Sequence, residues 1–429
     1  MGNFYENEEV KEKVILVGVR TSEGDDTDVS MLELDELVQT AGAQTVATVI
    51  QNREAMHPGT YIGTGKIDEV AAQLEEYQAD GIICDDELTP AQMKNLEDAL
   101  NCKVMDRTML ILDIFAQHAR TSEGKLQVEL AQLKYQSTRL IGSHSAMSRI
   151  GGGAAGSTGG IGTRGPGEKK LETDRRLIKS KIAQLNKELE QVRKNREVAR
   201  SMREKNAIPE IAIVGYTNAG KSTLLNKLTD AGVLEENKLF ATLDTTTRTL
   251  KLENKQEVLL TDTVGFIRKL PHHLVDAFRS TLEEAKYADI ILHVVDVSNG
   301  DADAQMHIVY ETLAQLGIKD RPIITAFNKQ DRIASAEPFK DLKADKTVKI
   351  SAKYGQGLDS LLAAVTEILQ NNRIYVETVV SYADAGMIAQ IRKFGQLLSE
   401  EYVENGVKIK AYVPRDIYGR MTVGNLSEK

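Results

Sequence analysis

One eight-residue stretch of this chain has the residue types and the spacing of a phosphate-binding loop. Residues 215–222 read G-Y-T-N-A-G-K-S and fit the pattern G-x-x-x-x-G-K-S. In such a loop, backbone N–H groups at a helix N-terminus surround the β-phosphate, the lysine reaches the β- and γ-phosphates, and the serine hydroxyl binds Mg²⁺. The apolar run Ile211–Val214 predicts a buried strand before the loop, and Thr223–Leu228 predicts a helix after it. The predicted nucleotide-binding residues here are Gly215, Tyr216, Thr217, Asn218, Ala219, Gly220, Lys221, Ser222 and Thr223.

A polar segment after this helix supplies a candidate switch threonine. The segment is Phe240-Ala241-Thr242-Leu243-Asp244, and it lies between a predicted helix and a predicted strand. We assign Thr242 as the residue that completes the Mg²⁺ coordination and senses the γ-phosphate. Thr245, Thr246 and Thr247 remain alternatives for this role.

Three further motifs follow predicted strands in the order that a guanine-nucleotide site requires. Asp262-Thr263-Val264-Gly265 predicts a Mg²⁺ ligand through water at the aspartate and a γ-phosphate contact at the glycine N–H. Asn328-Lys329-Gln330-Asp331 provides a carboxylate that can accept two hydrogen bonds from guanine, which adenine cannot donate. Ser351-Ala352-Lys353 fits the loop whose backbone N–H contacts guanine O6. Together these motifs predict that the chain binds GTP and GDP.

Hydrolysis of GTP is predicted to depend on Lys221, Thr242 and Gly265. The position after the glycine, where Ras-type enzymes carry a water-orienting glutamine, holds Phe266, which cannot hydrogen-bond water. We therefore expect slow intrinsic turnover, with the water positioned by the backbone or by a partner. The carbonyl of Asn218 can also coordinate a monovalent cation between phosphates, which predicts a K⁺ requirement.

Composition describes an ordinary globular protein. The chain has 429 residues, a net charge of −9 and 27% charged residues, so the whole molecule is not a basic nucleic-acid binder. Cys84 and Cys102 form no C-x-x-C pattern, which fits a reducing compartment. No apolar secretory segment opens the sequence, and no run of ~18 apolar residues predicts a membrane span. We expect a cytoplasmic protein without a membrane span, monomeric when free.

The pattern along the chain predicts a multidomain α/β architecture. Strands and helices alternate over residues 1–119, which predicts a small parallel α/β domain. Within this domain Asp85 and Asp86 lie beside Glu87, and this acidic run predicts a solvated loop. Leucine and isoleucine stripes with 3-, 4- and 7-residue spacing over 120–206 predict an antiparallel helical hairpin. Residues 207–372 form the predicted GTPase domain, a mainly parallel sheet with helices on both faces. Residues 373–429 form a short α+β domain.

The stretch 142–167 between the two hairpin helices is glycine-rich and free of acidic residues. Ten of its 26 residues are glycine, which predicts a loop with no fold of its own. A plain flexible linker is the alternative. From Arg164 to Lys205 there are 14 Lys or Arg against seven Asp or Glu, an excess of seven positive charges. We predict contact with a phosphate backbone rather than only a solvated helix face.

With these residues considered, the sequence resembles the HflX family of translational GTPases over nearly its full length. The resemblance rests on residues 61–66 (Y-I-G-T-G-K), 106–108 (D-R-T), 165–168 (G-P-G-E), 171–176 (L-E-T-D-R-R) and 262–267 (D-T-V-G-F-I), together with the phosphate loop. It implies binding to the 50S ribosomal subunit and splitting of 70S ribosomes in the GTP state, with hydrolysis permitting release and a role in stress or stalled-ribosome rescue.

The resemblance also implies that the hairpin tip reaches 23S rRNA. The residues predicted to contact rRNA are Arg139, Arg149, Arg164, Lys169 and Lys170. Two alternatives stay open at this stage: a GTPase that acts in large-subunit assembly, and a signalling switch whose hairpin docks a protein.

Overall fold

The computed structural model describes residues 11–21, 26–150, 166–205, 208–229, 239–240, 243, 245–253, 256–270, 284–318, 321–333, 339–371, 373–414, 417–419 and 421. The contacts of the chain divide it into two compact units. The first contains residues Met1–Gln191 together with Asn237–Leu243 and Arg268–Phe278, and the second contains the remainder. Among the described residues, no helix is long and apolar enough to cross a bilayer.

The first unit opens with a parallel sheet whose strands alternate with helices. Its elements are β1 (Lys13–Arg20), α1 (Thr27–Thr40), β2 (Gln44–Asn52), α2 (Thr64–Tyr77), β3 (Gly81–Cys84), α3 (Pro90–Leu100), β4 (Lys103–Asp106) and α4 (Arg107–His118). The strands lie in the order β2-β1-β3-β4, and all pairs are parallel. Each strand therefore reaches the next through a helix, as parallel pairing requires. The predicted parallel α/β layer is confirmed.

Two long helices follow, α5 (Ser122–Ile150) and α6 (Pro166–Lys205). The predicted loop of 142–167 was wrong at both ends, because α5 continues to Ile150 and α6 begins at Pro166. Between 142 and 150 the only glycine is Gly142, and one glycine costs a helix only ~1 kcal/mol. Proline is favoured at the first helical position because its missing N–H would have no helical partner there. Residues 151–165 lie outside the described part of the chain.

The predicted apolar stripe of α6 is only partly covered. Leu185 is buried, whereas Ile178, Ile182 and Leu189 are half-buried. An ion pair of 2.5 Å joins Lys181 of α6 to Glu129 of α5, as the antiparallel hairpin predicts.

The second unit contains a six-stranded sheet within the described residues. Its elements are β5 (Glu210–Gly215), α7 (Lys221–Thr229), β6 (Thr246–Lys251), β7 (Glu257–Asp262), β8 (Ile290–Asp296), α8 (Ala302–Gln315), β9 (Ile323–Asn328), β10 (Lys346–Lys349) and α9 (Leu358–Asn371). The strand order is β10-β9-β8-β5-β7-β6, and only the β6–β7 pair among these is antiparallel. The predicted mainly parallel sheet is confirmed, although the sequence pattern had not indicated β6 or β8.

The chain ends in a small antiparallel sheet covered by one helix. Its elements are β11 (Arg373–Val380), α10 (Ala385–Phe394), β12 (Gln396–Val403) and β13 (Gly406–Pro414), in the strand order β11-β13-β12. This segment has the predicted α+β character, although the sequence pattern had not indicated β12. The domain boundaries at 119, 206 and 372 stay predictions; each falls between the elements just described.

Candidate nucleotide site

The phosphate loop connects β5 to α7 in the second unit, at the carboxyl end of a central strand. A tight turn at Gly220 needs φ of +96°, and a Cβ atom there would lie 2.3 Å from Nδ2 of Asn328, so only glycine fits. Lys221 is buried, and its ammonium donates hydrogen bonds to the carbonyls of Gly215 (3.2 Å) and Tyr216 (2.8 Å). Burial lowers the pKa of Lys221 to about 8, partly opposed by the charge of Asp262. The loop thus holds a cationic group that a phosphate would stabilise.

Ser222 and Asp262 lie side by side at the start of α7 and the end of β7. The Ser222 hydroxyl donates to Oδ2 of Asp262 at 2.7 Å. A hydroxyl beside a carboxylate is an oxygen donor set of the kind that Mg²⁺ prefers, with the remaining positions filled by water and phosphate. The pair therefore fits the predicted metal position. The third predicted contributor, Thr242, lies outside the described residues, as do Ala241 and Asp244.

The segment after β7 lies directly on the phosphate loop. The Thr217 N–H donates to the Phe266 carbonyl (2.8 Å), and the Phe266 N–H donates to the Gly215 carbonyl (3.1 Å). These bonds place Tyr216 and Phe266 in a short parallel bridge. A Cβ atom on Gly265 would lie 3.0 Å from Nζ of Lys221, so the glycine allows the close approach of this segment. The structure thus places Gly265 next to Lys221, and the sequence predicted each of the two residues to contact the γ-phosphate.

The motif Asn328–Asp331 joins the phosphate loop to the loop at Ser351. Asn328 donates to the Ala219 carbonyl (2.8 Å) and accepts from the Ala352 N–H (2.9 Å). The Ser351 hydroxyl donates to Oδ1 of Asp331 at 2.6 Å, and this bond lowers the pKa of Asp331. The carboxylate is thereby kept ionised, as acceptance of hydrogen bonds from guanine requires.

The other predicted residues of these motifs have mainly supporting contacts. Lys329 adopts a left-handed conformation (φ 64°) and pairs with Asp296 at 2.7 Å. The Thr263 hydroxyl donates to the backbone of β5, Gln330 donates to the backbone at the end of β9, and the Lys353 ammonium lies over the Tyr354 ring. Asp296 was not predicted; it ends a buried strand, which is the signal that could have indicated it.

Two predicted switch residues are described within the first unit. Phe240 has a left-handed backbone (φ 55°), and its ring packs edge-on against Phe115 of α4 with centroids 4.7 Å apart. Leu243 is buried. Both side chains therefore serve as apolar contacts in this unit.

After β3, Asp85 is buried and Asp86 is half-buried, so the predicted solvated loop was wrong for these two residues, whereas Glu87 is exposed. Asp85 is 1% exposed and binds Arg107 (2.7 Å) and Lys269 (2.5 Å), while Asp86 binds the same lysine at 2.7 Å. Burial alone would raise the pKa of Asp85, but the two cations hold it below its usual value. Arg107 also pairs with Glu33. The carboxyl end of a parallel strand was the sequence signal for such a polar cluster.

All five residues predicted to contact rRNA stay predictions, and the structure describes the side chain of one of them, Arg139. Arg139 forms a 2.6 Å ion pair with buried Asp106, and its guanidinium stacks on Tyr135 at 4.0 Å. Arg139 therefore has a charged partner within the fold, and its contact with rRNA stays a prediction. The side chains of Arg149, Arg164, Lys169 and Lys170 lie outside the described ones.

Comparisons with known proteins match the chain almost from end to end. Three family models align with it: GTP-binding GTPase N-terminal over residues 28–116, GTP-binding GTPase Middle Region over 118–203, and 50S ribosome-binding GTPase over 210–329. The chain is 59% identical to the GTPase HflX of Lacrimispora saccharolytica over 98% of both chains. It is 41% identical to the GTPase HflX of Escherichia coli over 85% of both.

Among solved structures, the complex of SsGBP with GDP covers 83% of this chain at 26% identity, with a TM-score of 0.44. That match covers 98% of the SsGBP chain.

Proposed function

Because the chain belongs to the HflX family of ribosome-binding GTPases, we propose that it binds the 50S subunit and separates 70S ribosomes in its GTP state. Hydrolysis of GTP then permits its release from the 50S subunit. The physiological role proposed is the recovery of stalled ribosomes under stress, in the cytoplasm, by a protein that is monomeric when free.

The observation that carries this proposal is the basic hairpin. On α6 the side chains of Arg175, Arg176 and Lys179 are exposed, and Arg176 pairs with Glu172 on the same helix at 2.9 Å, so all three positive charges lie at the surface. A positive surface on a long helix suits a phosphate backbone, and 23S rRNA is the proposed contact. Arg149, Arg164, Lys169 and Lys170 would extend this contact toward the hairpin tip.

The nucleotide residues named above would bind GTP and GDP, with Ser222 as a Mg²⁺ ligand and Asp262 as a ligand through water. Mg²⁺ would offset the charge that develops on the phosphates. Thr242 would complete the metal coordination, and Lys221 and Gly265 would contact the γ-phosphate. A K⁺ ion held by Asn218 would add a further positive charge; equal hydrolysis rates in Na⁺ and K⁺ would refute this last point.

A sucrose gradient of 70S ribosomes tests the proposal. With a non-hydrolysable GTP analogue we expect free 30S and 50S subunits and the protein on 50S, whereas with GDP the 70S particle stays intact. Intact 70S in both lanes with protein on 50S would instead support a role in subunit assembly. Binding to neither particle would support a switch that docks a protein.

The hairpin charge can be tested in the same gradient. The double variant Lys169→Ala with Lys170→Ala should bind 50S more weakly and with a shallower dependence on salt, because fewer counterions are released. Lys251→Ala, which removes a lysine whose side chain is 75% exposed on β6, is the control and should bind as the unmodified protein does.

A further inference from the structure

We propose that Thr217 is a catalytic residue whose hydroxyl positions the water that attacks the γ-phosphate. This inference rests on the nucleotide site proposed above. Phe266 occupies the position of the water-orienting glutamine of Ras-type enzymes, but it is 2% exposed and its side chain has no hydrogen-bonding group. A hydroxyl in the phosphate loop would take over the role that a glutamine side chain has elsewhere.

The first observation is that the Thr217 hydroxyl is buried without a partner. The residue is 6% exposed, and Oγ1 has no hydrogen bond to any of the residues that the structure describes. A buried hydroxyl without a partner lowers stability, because folding removes its hydrogen bonds to water and supplies none in return. The hydroxyl would gain hydrogen-bond partners in the complex with substrate, where the attacking water and the γ-phosphate lie next to it.

The second observation is the position of the side chain. A Cβ atom built on Gly265 would lie 2.8 Å from Cγ2 of Thr217 and 3.0 Å from Nζ of Lys221. Gly265 therefore lies next to both the threonine side chain and the ammonium group of Lys221. Since Gly265 and Lys221 are the proposed γ-phosphate contacts, Thr217 borders the γ-phosphate position.

The hydroxyl can reach that point by a single rotation. Oγ1 and Cγ2 are both bonded to Cβ, so a change between staggered χ1 rotamers brings the hydroxyl to the side of Gly265. The backbone of Thr217 meanwhile stays in place, because its N–H donates to the Phe266 carbonyl at 2.8 Å. The residue is therefore held by its backbone while its side chain turns.

In the reaction, the water oxygen attacks the γ-phosphorus, and the bond from that phosphorus to the β–γ bridging oxygen breaks. The electron pair of this bond leaves on GDP, and the water proton ends on an oxygen of inorganic phosphate. Thr217 accepts a hydrogen bond from the attacking water and donates its own to a γ-phosphate oxygen. It is unchanged at the end of the step.

Two variants test the assignment in the full-length protein. Thr217→Val keeps the shape and removes the hydroxyl, whereas Thr217→Ser keeps the hydroxyl. Single-turnover hydrolysis of bound GTP gives the rate, and fluorescent GDP and a non-hydrolysable GTP analogue give the affinities. We expect the valine variant to hydrolyse GTP at least about tenfold more slowly with both affinities within about twofold, and the serine variant to keep most of the rate.

The melting temperature of the valine variant should equal or exceed that of the unmodified protein, because the unpaired hydroxyl is gone. A valine variant with unchanged rate, or a serine variant that loses as much rate as valine, overturns the proposal. A valine variant that loses affinity for the analogue also overturns it, since the hydroxyl then serves binding. If the unmodified protein binds neither nucleotide, the proposed site itself is wrong and the inference falls with it.

Discussion

His293 should make the GTPase domain lose stability as the pH falls from 7 to 5. The residue lies on β8, is 1% exposed, and packs edge-on against Tyr310 with ring centroids 5.2 Å apart. Its Nδ1 has no hydrogen bond to any described residue. Burial lowers the pKa of His293 to about 4, although the charge of Asp341 opposes the change.

The sign follows from the two protonation states. An unfolded histidine has a pKa of about 6.5, so between pH 6.5 and 4 the unfolded chain binds a proton that the folded chain does not. The free energy of unfolding is therefore greatest above pH 6.5 and falls toward pH 4. The whole difference between the two pKa values corresponds to about 3.4 kcal/mol, of which about 2 kcal/mol is lost by pH 5.

The assay is urea unfolding followed by circular dichroism at pH 7 and pH 5. His293→Phe keeps a ring against Tyr310 and cannot titrate, so its decrease between the two pH values should be about 2 kcal/mol smaller than in the unmodified protein. His307→Gln is the control, because His307 has a side chain that is 65% exposed on α8. Parallel losses in all three proteins, or an NMR titration that places the pKa of His293 near 6.5, would refute the reasoning.

Three further predictions concern Lys221, Arg107 and Asp331. Burial lowers the pKa of Lys221 to about 8, and a bound phosphate would raise this pKa, so GDP binding should take up a proton above pH 8 and weaken as the pH rises. Calorimetry in buffers of different ionisation enthalpy measures this proton uptake. No proton uptake at pH 9 would contradict the prediction. Arg107→Met should destabilise the first unit by about 1–3 kcal/mol, because it removes one of the two cations, Arg107 and Lys269, that bind buried Asp85. The control for that variant is Arg176→Met, at a side chain that is 79% exposed, and equal melting temperatures would rule out the cost. Asp331→Asn should weaken GTP binding at least about 100-fold and favour xanthosine triphosphate, whose base carbonyl can accept a hydrogen bond from the new amide. Competition binding between the two nucleotides measures this preference. An unchanged preference would exclude Asp331 from guanine recognition.

The elements were predictable where the pattern of the chain is local and regular. The apolar runs before the phosphate loop and before Asn328 gave β5 and β9, because a strand buried on both faces needs a continuous apolar sequence. β6 was missed since T-T-R-T-L-K is largely polar and exposed, and it forms only by antiparallel pairing with β7. Strand β12 was missed for the same reason.

The candidate site was predictable as a set of motifs but not as a set of contacts. Spacing alone indicated Lys221, Asp262 and Asn328, because phosphate and guanine recognition require those groups at strand ends. The bridge from Tyr216 to Phe266, and with it the unpaired hydroxyl of Thr217, joins segments about fifty residues apart in the sequence. No local pattern encodes such a contact.

The sequence by itself determined the family, the nucleotide motifs and most of the strands and helices. Each of these depends on short-range spacing, which a one-dimensional pattern carries. The tertiary structure decided which charges are internal: it paired Arg139 with Asp106, and it buried Asp85 between Arg107 and Lys269. Whether a charged side chain contacts solvent, a ligand or a distant counter-ion depends on which chain segments surround it, and only folding brings those segments together.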